Sequence, residues 1–176
     1  MIISVQEIKK LIDFKGWSDE KIERKLNAIE QTIRSYTNNN FQKRTHRKTA
    51  DIVGGLLVFD ENVFFKIDDT VQISESNFSN GIYTVLAATD KSISLNQNIL
   101  DEESVLVTKV EYPDDVIDCC INLLEWEINN RAKVGIQSET LSRHSVTYFN
   151  QDASNQVMGY PASLLGCLKA YRKVRC

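Results

Sequence analysis

The sequence predicts an α+β protein: a small bundle of about four helices carrying an inserted small antiparallel β-barrel of the SH3-like kind. Three observations carry this expectation. Apolar residues recur at helical spacing over residues 5–36 and again over 116–128. Between them, residues 50–111 switch to short runs of Val, Ile, Phe, Tyr and Thr separated by turn residues. The helical period then returns, so residues 1–49 and 112–176 read as one helical domain and 50–111 as an inserted β-domain.

The first helix opens at Ser4, with Glu7 three positions on, the spacing of a capping box. Val5, Ile8, Leu11 and Ile12 follow at helical spacing, and Gly16 breaks the run. Ser18 caps a second helix whose first turn holds Asp19 and Glu20, favourable at a helix N-terminus. Ile22, Leu26, Ile29, Ile33 and Tyr36 make its single apolar stripe, and Asn38-Asn39-Asn40 ends it.

Six short strands are expected at 55–59, 63–67, 70–74, 82–87, 92–95 and 105–110, with Asn80-Gly81 as a tight turn. The strand pair around Thr70-Val71-Gln72-Ile73 and Ile82-Tyr83-Thr84-Val85 resembles that of SH3-like barrels, a likeness of fold and not of function. Pro113, Asp114 and Asp115 then open a long central helix over 113–133. Its apolar arc of Val116, Ile117, Cys120, Ile121, Leu123, Leu124 and Ile128 is broad enough to need several packing partners. Residues 134–160 read as a long connection, in which 144–148 forms an extended strand suited to another chain's sheet edge. Tyr160-Pro161 starts a last helix with Leu164, Leu165, Leu168 and Tyr171 apolar and Lys169, Arg172, Lys173 and Arg175 at its basic end.

Charge is polarised along the chain. Residues 1–49 carry 11 basic and 6 acidic side chains, 50–115 carry 3 and 13, and 116–176 carry 7 and 5. Such a chain is able to bind itself head to tail. The sharpest basic cluster is Lys43, Arg44, His46, Arg47 and Lys48. It suits a joint facing an acidic neighbour; the alternative is phosphate contact by a nucleic-acid-binding module built from the small barrel and this cluster. The acidic balance of the barrel argues against that alternative.

No apolar run approaches the length needed to span a bilayer and no secretory signal is recognisable, so a membrane partner is not expected. Cys119, Cys120, Cys167 and Cys176 make no C-x-x-C, and His46 and His144 complete no metal set, so no metal or cofactor is expected. No P-loop, G-x-G-x-x-G, G-x-S-x-G or H-E-x-x-H is present. His144 beside Ser145 makes a poor base and nucleophile, because neighbours on a strand point to opposite faces. Paired acids such as Asp68-Asp69 and Asp114-Asp115 read as turn and cap residues. No catalytic residue is assigned and the chain is not expected to be an enzyme.

The order of parts is similar to that of tailed-bacteriophage head–tail connector (adaptor) proteins. The resemblance covers 1–40 and 113–176, and rests on the Ser138-Glu139-Thr140-Leu141 and Ser145-Val146-Thr147-Tyr148 loop and on Tyr160-Pro161, Leu164-Leu165, Leu168 and Tyr171. The β-insert departs from the smallest members, which are nearly all helical. The resemblance implies a structural protein of the virion, made in the bacterial host cytoplasm. It implies self-association into a ring, usually of about twelve subunits, under the portal protein ring. The ring extends the DNA channel, lets DNA pass without specific binding, and docks the next connector, stopper or tail protein. On this view Lys43, Arg44, Arg47 and Lys48 form a subunit joint, Arg143, Val146 and Tyr148 embrace a neighbour, and Lys169, Tyr171, Arg172, Lys173 and Arg175 reach the portal.

Overall fold

The computed structural model describes residues 1–131, 138–141, 144–147 and 155–174, with 138–141 and 144–147 described as strand backbone. The chain divides into two compact units, one formed by residues 40–112 with Met1, the other by 2–39 with 113–176.

The first unit is a closed antiparallel barrel of six strands: β1 (Gln42–Val53), β2 (Leu56–Val58), β3 (Thr70–Ser74), β4 (Gly81–Ala88), β5 (Ser92–Leu95) and β6 (Glu102–Val110). Their order around the barrel is β1-β2-β5-β4-β3-β6, and β6 closes it by pairing with both β3 and β1. Closure leaves no free sheet edge. Alternation sets the interior: Ile52, Leu57, Val71, Ile73, Val85, Ile93, Val105 and Val107 point inward and are buried. Each such side chain contributes roughly 1.5–3 kcal/mol of burial. The β1–β2 turn is Gly54-Gly55, between the paired Val53 and Leu56. Both glycines sit at positive φ, 60° and 77°, as a two-residue hairpin matching strand twist requires.

Three details depart from the sequence reading. The barrel starts at Gln42 and not near residue 50, so the basic cluster lies on a strand. That strand is hard to read because residues 42–49 have no buried face to give a period-2 signal. The segment 63–67 is not a strand; Val63 and Phe65 are buried while Phe64 and Ile67 stay exposed. It is tethered instead at its start by Val63 N–H donating to the Asp90 carbonyl at 2.8 Å, after Phe59 N–H has bonded the Lys91 carbonyl, also at 2.8 Å. Asn80-Gly81 is not a two-residue turn either. Residues 75–80 form a six-residue loop around Ser76, whose hydroxyl accepts from the Phe78 and Ser79 N–H at 3.2 and 2.7 Å.

The second unit holds α1 (Val5–Leu11), α2 (Asp19–Thr37), α3 (Asp114–Asn130), two short strand pairs and a 3-10 helix (Gly166–Tyr171). Ser4 and Glu7 form the full capping box on α1. Ser18 caps α2 through the Lys21 N–H, and Asn38, left-handed at φ 49°, ends it. α2 packs on α3, and the 3-10 helix packs on both. Strands β7 (Ser138–Leu141) and β8 (His144–Thr147) pair antiparallel, as do β9 (Gln156–Val157) and β10 (Tyr160–Pro161).

The expected bundle of about four helices is therefore corrected: a closed six-stranded barrel accompanies α1, α2, α3 and the 3-10 helix Gly166–Tyr171. The last helix fails for local reasons. Gly159, at φ 82°, and Pro161 turn the chain into the β9–β10 pair, and Gly166 interrupts the apolar run from Leu164 to Leu168. Six residues of 3-10 helix remain, and the segment still buries Leu165 and Leu168.

Candidate functional site

The basic cluster on β1 is displayed by a bulge. Gln42 pairs with Val110 and Arg47 with Thr108, so five steps along β1 match two along β6. The extra length projects Arg44, Thr45 and His46 into solvent. Two of the cluster's four Lys and Arg charges are paired with carboxylates inside the barrel unit. Lys43 pairs with Glu111 and Lys48 with Glu61. The hydrogen bonds from these lysines hold both carboxyls below the usual carboxylate range. Arg47 donates to Thr108 Oγ1 at 3.0 Å and to Gln42 Oε1 at 3.1 Å. Arg44 alone of the four candidate cations here has no partner among the described residues.

The C-terminal candidates converge on a second surface. The chain after the 3-10 helix lies along the end of α2. Lys173 N–H donates to the Thr37 carbonyl at 2.8 Å, and the Asn38 and Asn39 amides donate to the Val174 and Tyr171 carbonyls, both at 3.3 Å. The first of these bonds satisfies a carbonyl at the C-terminus of α2, where cations are also favoured. Between the two segments runs an open groove of about 660 Å³, lined in part by Tyr36, Lys169, Arg172, Lys173 and Val174. The Arg172 guanidinium lies over the Tyr36 ring, 5.2 Å from its centroid. Lys169, Arg172 and Lys173 form no ion pair among the described residues. Tyr171, expected to face a partner, turns its hydroxyl to the Asp115 carboxylate at 2.7 Å. That bond raises the phenol above its ordinary value.

One cluster escaped the sequence reading. Glu127 on α3 is only 3% exposed. It accepts from Arg131 Nε at 3.0 Å, from Lys25 Nζ at 3.1 Å and from the Tyr160 hydroxyl at 2.7 Å, and the other Arg131 nitrogen completes a bidentate pair. Burial pushes this carboxyl up, but the hydrogen bonds from Arg131, Tyr160 and Lys25 outweigh it and hold it at about 2. Burial, then the bond to Glu127, raises the Tyr160 phenol well above its ordinary value. Arg131 also covers the Trp126 ring at 4.9 Å, and Trp126 meets Tyr160 edge-on at 5.5 Å. The available signal was the i,i+4 spacing of Glu127 and Arg131 on an otherwise apolar helix face. The arrangement fixes Tyr160 and the β9–β10 pair against α3.

Arg143, Tyr148 and Arg175 lie outside the described residues, and Val146 is placed only by backbone, opposite Glu139 in the β7–β8 pair. Cys119 and Cys120 are buried, which raises both thiols, Cys120 to about 12. Among the described residues, no group of three or more His, Cys, Asp or Glu side chains is placed to hold a metal ion. No helix of the described residues is long and apolar enough to cross a membrane. No protein-family model matches the chain, and no curated protein is significantly similar to it.

Proposed function

We propose that the protein is a structural head–tail connector of a tailed phage. It assembles in the virion as a ring beneath the portal, extends the DNA channel and docks the next connector or tail component. One observation carries this reading. The stretch most similar to connector proteins, 138–148, contains the antiparallel β7–β8 pair, a sheet of two strands whose outer edges meet no described strand. A lone two-stranded sheet is marginally stable in water, and its open edges are templates for strand addition by another chain. The insertion of a complete barrel between α2 and α3 adds support, since it gives each copy a second body with its own surface.

The nucleic-acid alternative loses ground on the β1 contacts. A phosphate-binding face offers several unpaired cations, whereas Lys43 and Lys48 pair with Glu111 and Glu61, Arg47 is hydrogen-bonded within the barrel unit, and of the four only Arg44 has no partner among the described residues. A gel-shift titration with duplex DNA at low and high salt separates the readings. The connector reading expects no stable complex at physiological salt. A tight complex that weakens steeply with salt favours the alternative. Co-sedimentation with portal rings of the phage that encodes the chain tests the connector reading itself: the protein is expected in the portal fraction, and its absence there counts against the assignment.

A further inference from the structure

The end of the barrel away from Gln42 and Val110 is built from the Gly54-Gly55 turn, the 75–80 loop and residues 96–104. These pieces are knit together. Gly55 N–H donates to Asp101 at 3.3 Å, Leu100 N–H to the Ser79 hydroxyl at 3.3 Å, and Ser104 N–H to Asp51 at 2.8 Å. Glu102 ties in the 75–80 loop through Ser76 and the Asn77 N–H, and these bonds hold its carboxyl below the usual range.

Four large apolar side chains project from this one end into solvent: Phe78 at 72% exposure, Leu100 at 63%, Val53 at 58% and Leu56 at 41%. Around them stand five carboxylates, Asp51, Glu75, Asp101, Glu102 and Glu103, and the three segments that form this end contain no Lys or Arg. None of the five forms an ion pair among the described residues. Isolated surface hydrophobes are ordinary, but a cluster of four on a hydrogen-bonded frame with a rim of one charge sign has the make-up of an interaction surface. The sign of the rim makes phosphate polymers unsuitable and selects a cationic, partly apolar partner.

The same chain presents a surface of that make-up. The groove beside Tyr36 carries Lys169, Arg172 and Lys173 without ion-pair partners, next to Val174 at 86% exposure. We propose that the acidic, apolar end of the barrel in one copy binds the basic C-terminal groove of a second copy. Phe78 and Leu100 cover Val174 and the Tyr36–Arg172 stack, and Glu75 and Glu103 face Lys169 and Lys173. The two faces are different, so the contact is head-to-tail and each copy keeps one free face at each end of a growing assembly. This inference rests on the self-association in the proposed function and names the surfaces for it.

Two variants of the chain test it by sedimentation velocity. Phe78→Ser with Leu100→Ser disables the barrel end, and Arg172→Glu with Lys173→Glu disables the groove. All four side chains point to solvent, so circular dichroism spectra are expected to stay native. The wild-type chain is expected to form salt-sensitive oligomers that grow with concentration, each variant alone to remain monomeric, and an equimolar mixture of the two to stop at a one-to-one pair. Wild-type protein that stays monomeric at roughly millimolar concentration overturns the proposal. So do variants that oligomerise normally, or a mixture that does not pair. Portal co-sedimentation is scored separately. Variants that still oligomerise yet bind portal sink these faces and spare the connector reading, whereas oligomers lost on mutation without any portal binding do the reverse.

Discussion

The Tyr160 hydroxyl donates to Glu127 at 2.7 Å, joining the β9–β10 pair to the last turn of α3 through a carboxylate that is almost fully buried. Tyr160→Phe removes this donor while keeping the ring that meets Trp126 edge-on. The expected cost is about 1–3 kcal/mol of stability, read as a lower urea midpoint with an unchanged slope. A midpoint equal to wild type shows that the hydrogen bond is dispensable.

Glu127 also sets an acid limit. Its carboxyl lies at about 2 in the folded chain against an ordinary value of 4.5. A carboxyl depressed on folding stabilises the native state above its unfolded value and loses that contribution as pH falls toward the folded one. The window therefore runs from about pH 4.5 down to about 2. The contribution at neutral pH is about 3 kcal/mol on the usual conversion of pKa shift to free energy. Urea midpoints measured from pH 7 to pH 3 are expected to fall more steeply in wild type than in Glu127→Gln. Parallel curves contradict the assignment.

The barrel interior gives a cleaner contrast. Leu57 is fully buried, while its neighbour Leu56 on the same strand points outward. Leu57→Ala is expected to cost about 2–5 kcal/mol, whereas Leu56→Ala stays within about 0.5 kcal/mol of wild type. Thermal melting of the two variants checks this, and equal shifts contradict the inward and outward alternation.

Thiol labelling tests the packing around α3. Cys119 and Cys120 are buried with raised thiols, whereas Cys167 is exposed. Only the thiolate reacts readily. Brief alkylation of native protein followed by peptide mapping is expected to modify Cys167 and to leave Cys119 and Cys120 intact until denaturant is added. Native labelling of either buried cysteine contradicts the placement of α3.

The elements readable from sequence were those with one buried and one solvated face. Ile22, Leu26, Ile29 and Ile33 marked α2, and Val71 with Ile73 marked β3, because burial imposes the period of the element on the residues. The first half of β1 was unreadable for the same reason: residues 43–46 are bulged outward and polar on both faces. Glycine and proline explain the lost last helix, but only after its 3-10 geometry is known. The candidate site was legible as charge and not as geometry. Lys43, Arg44, Arg47 and Lys48 look alike in sequence, yet Glu61 and Glu111 occupy two of them, and sequence gives no register across the barrel. The exposed Phe78 and Leu100 gave no warning either, since a lone apolar residue in a loop is unremarkable until three loops bring several together.

Electron microscopy of the purified chain mixed with candidate portal rings measures the central proposal most directly. The account predicts a second ring of added density stacked coaxially on the portal, leaving an open channel. Portal rings that remain bare at saturating chain concentration contradict it.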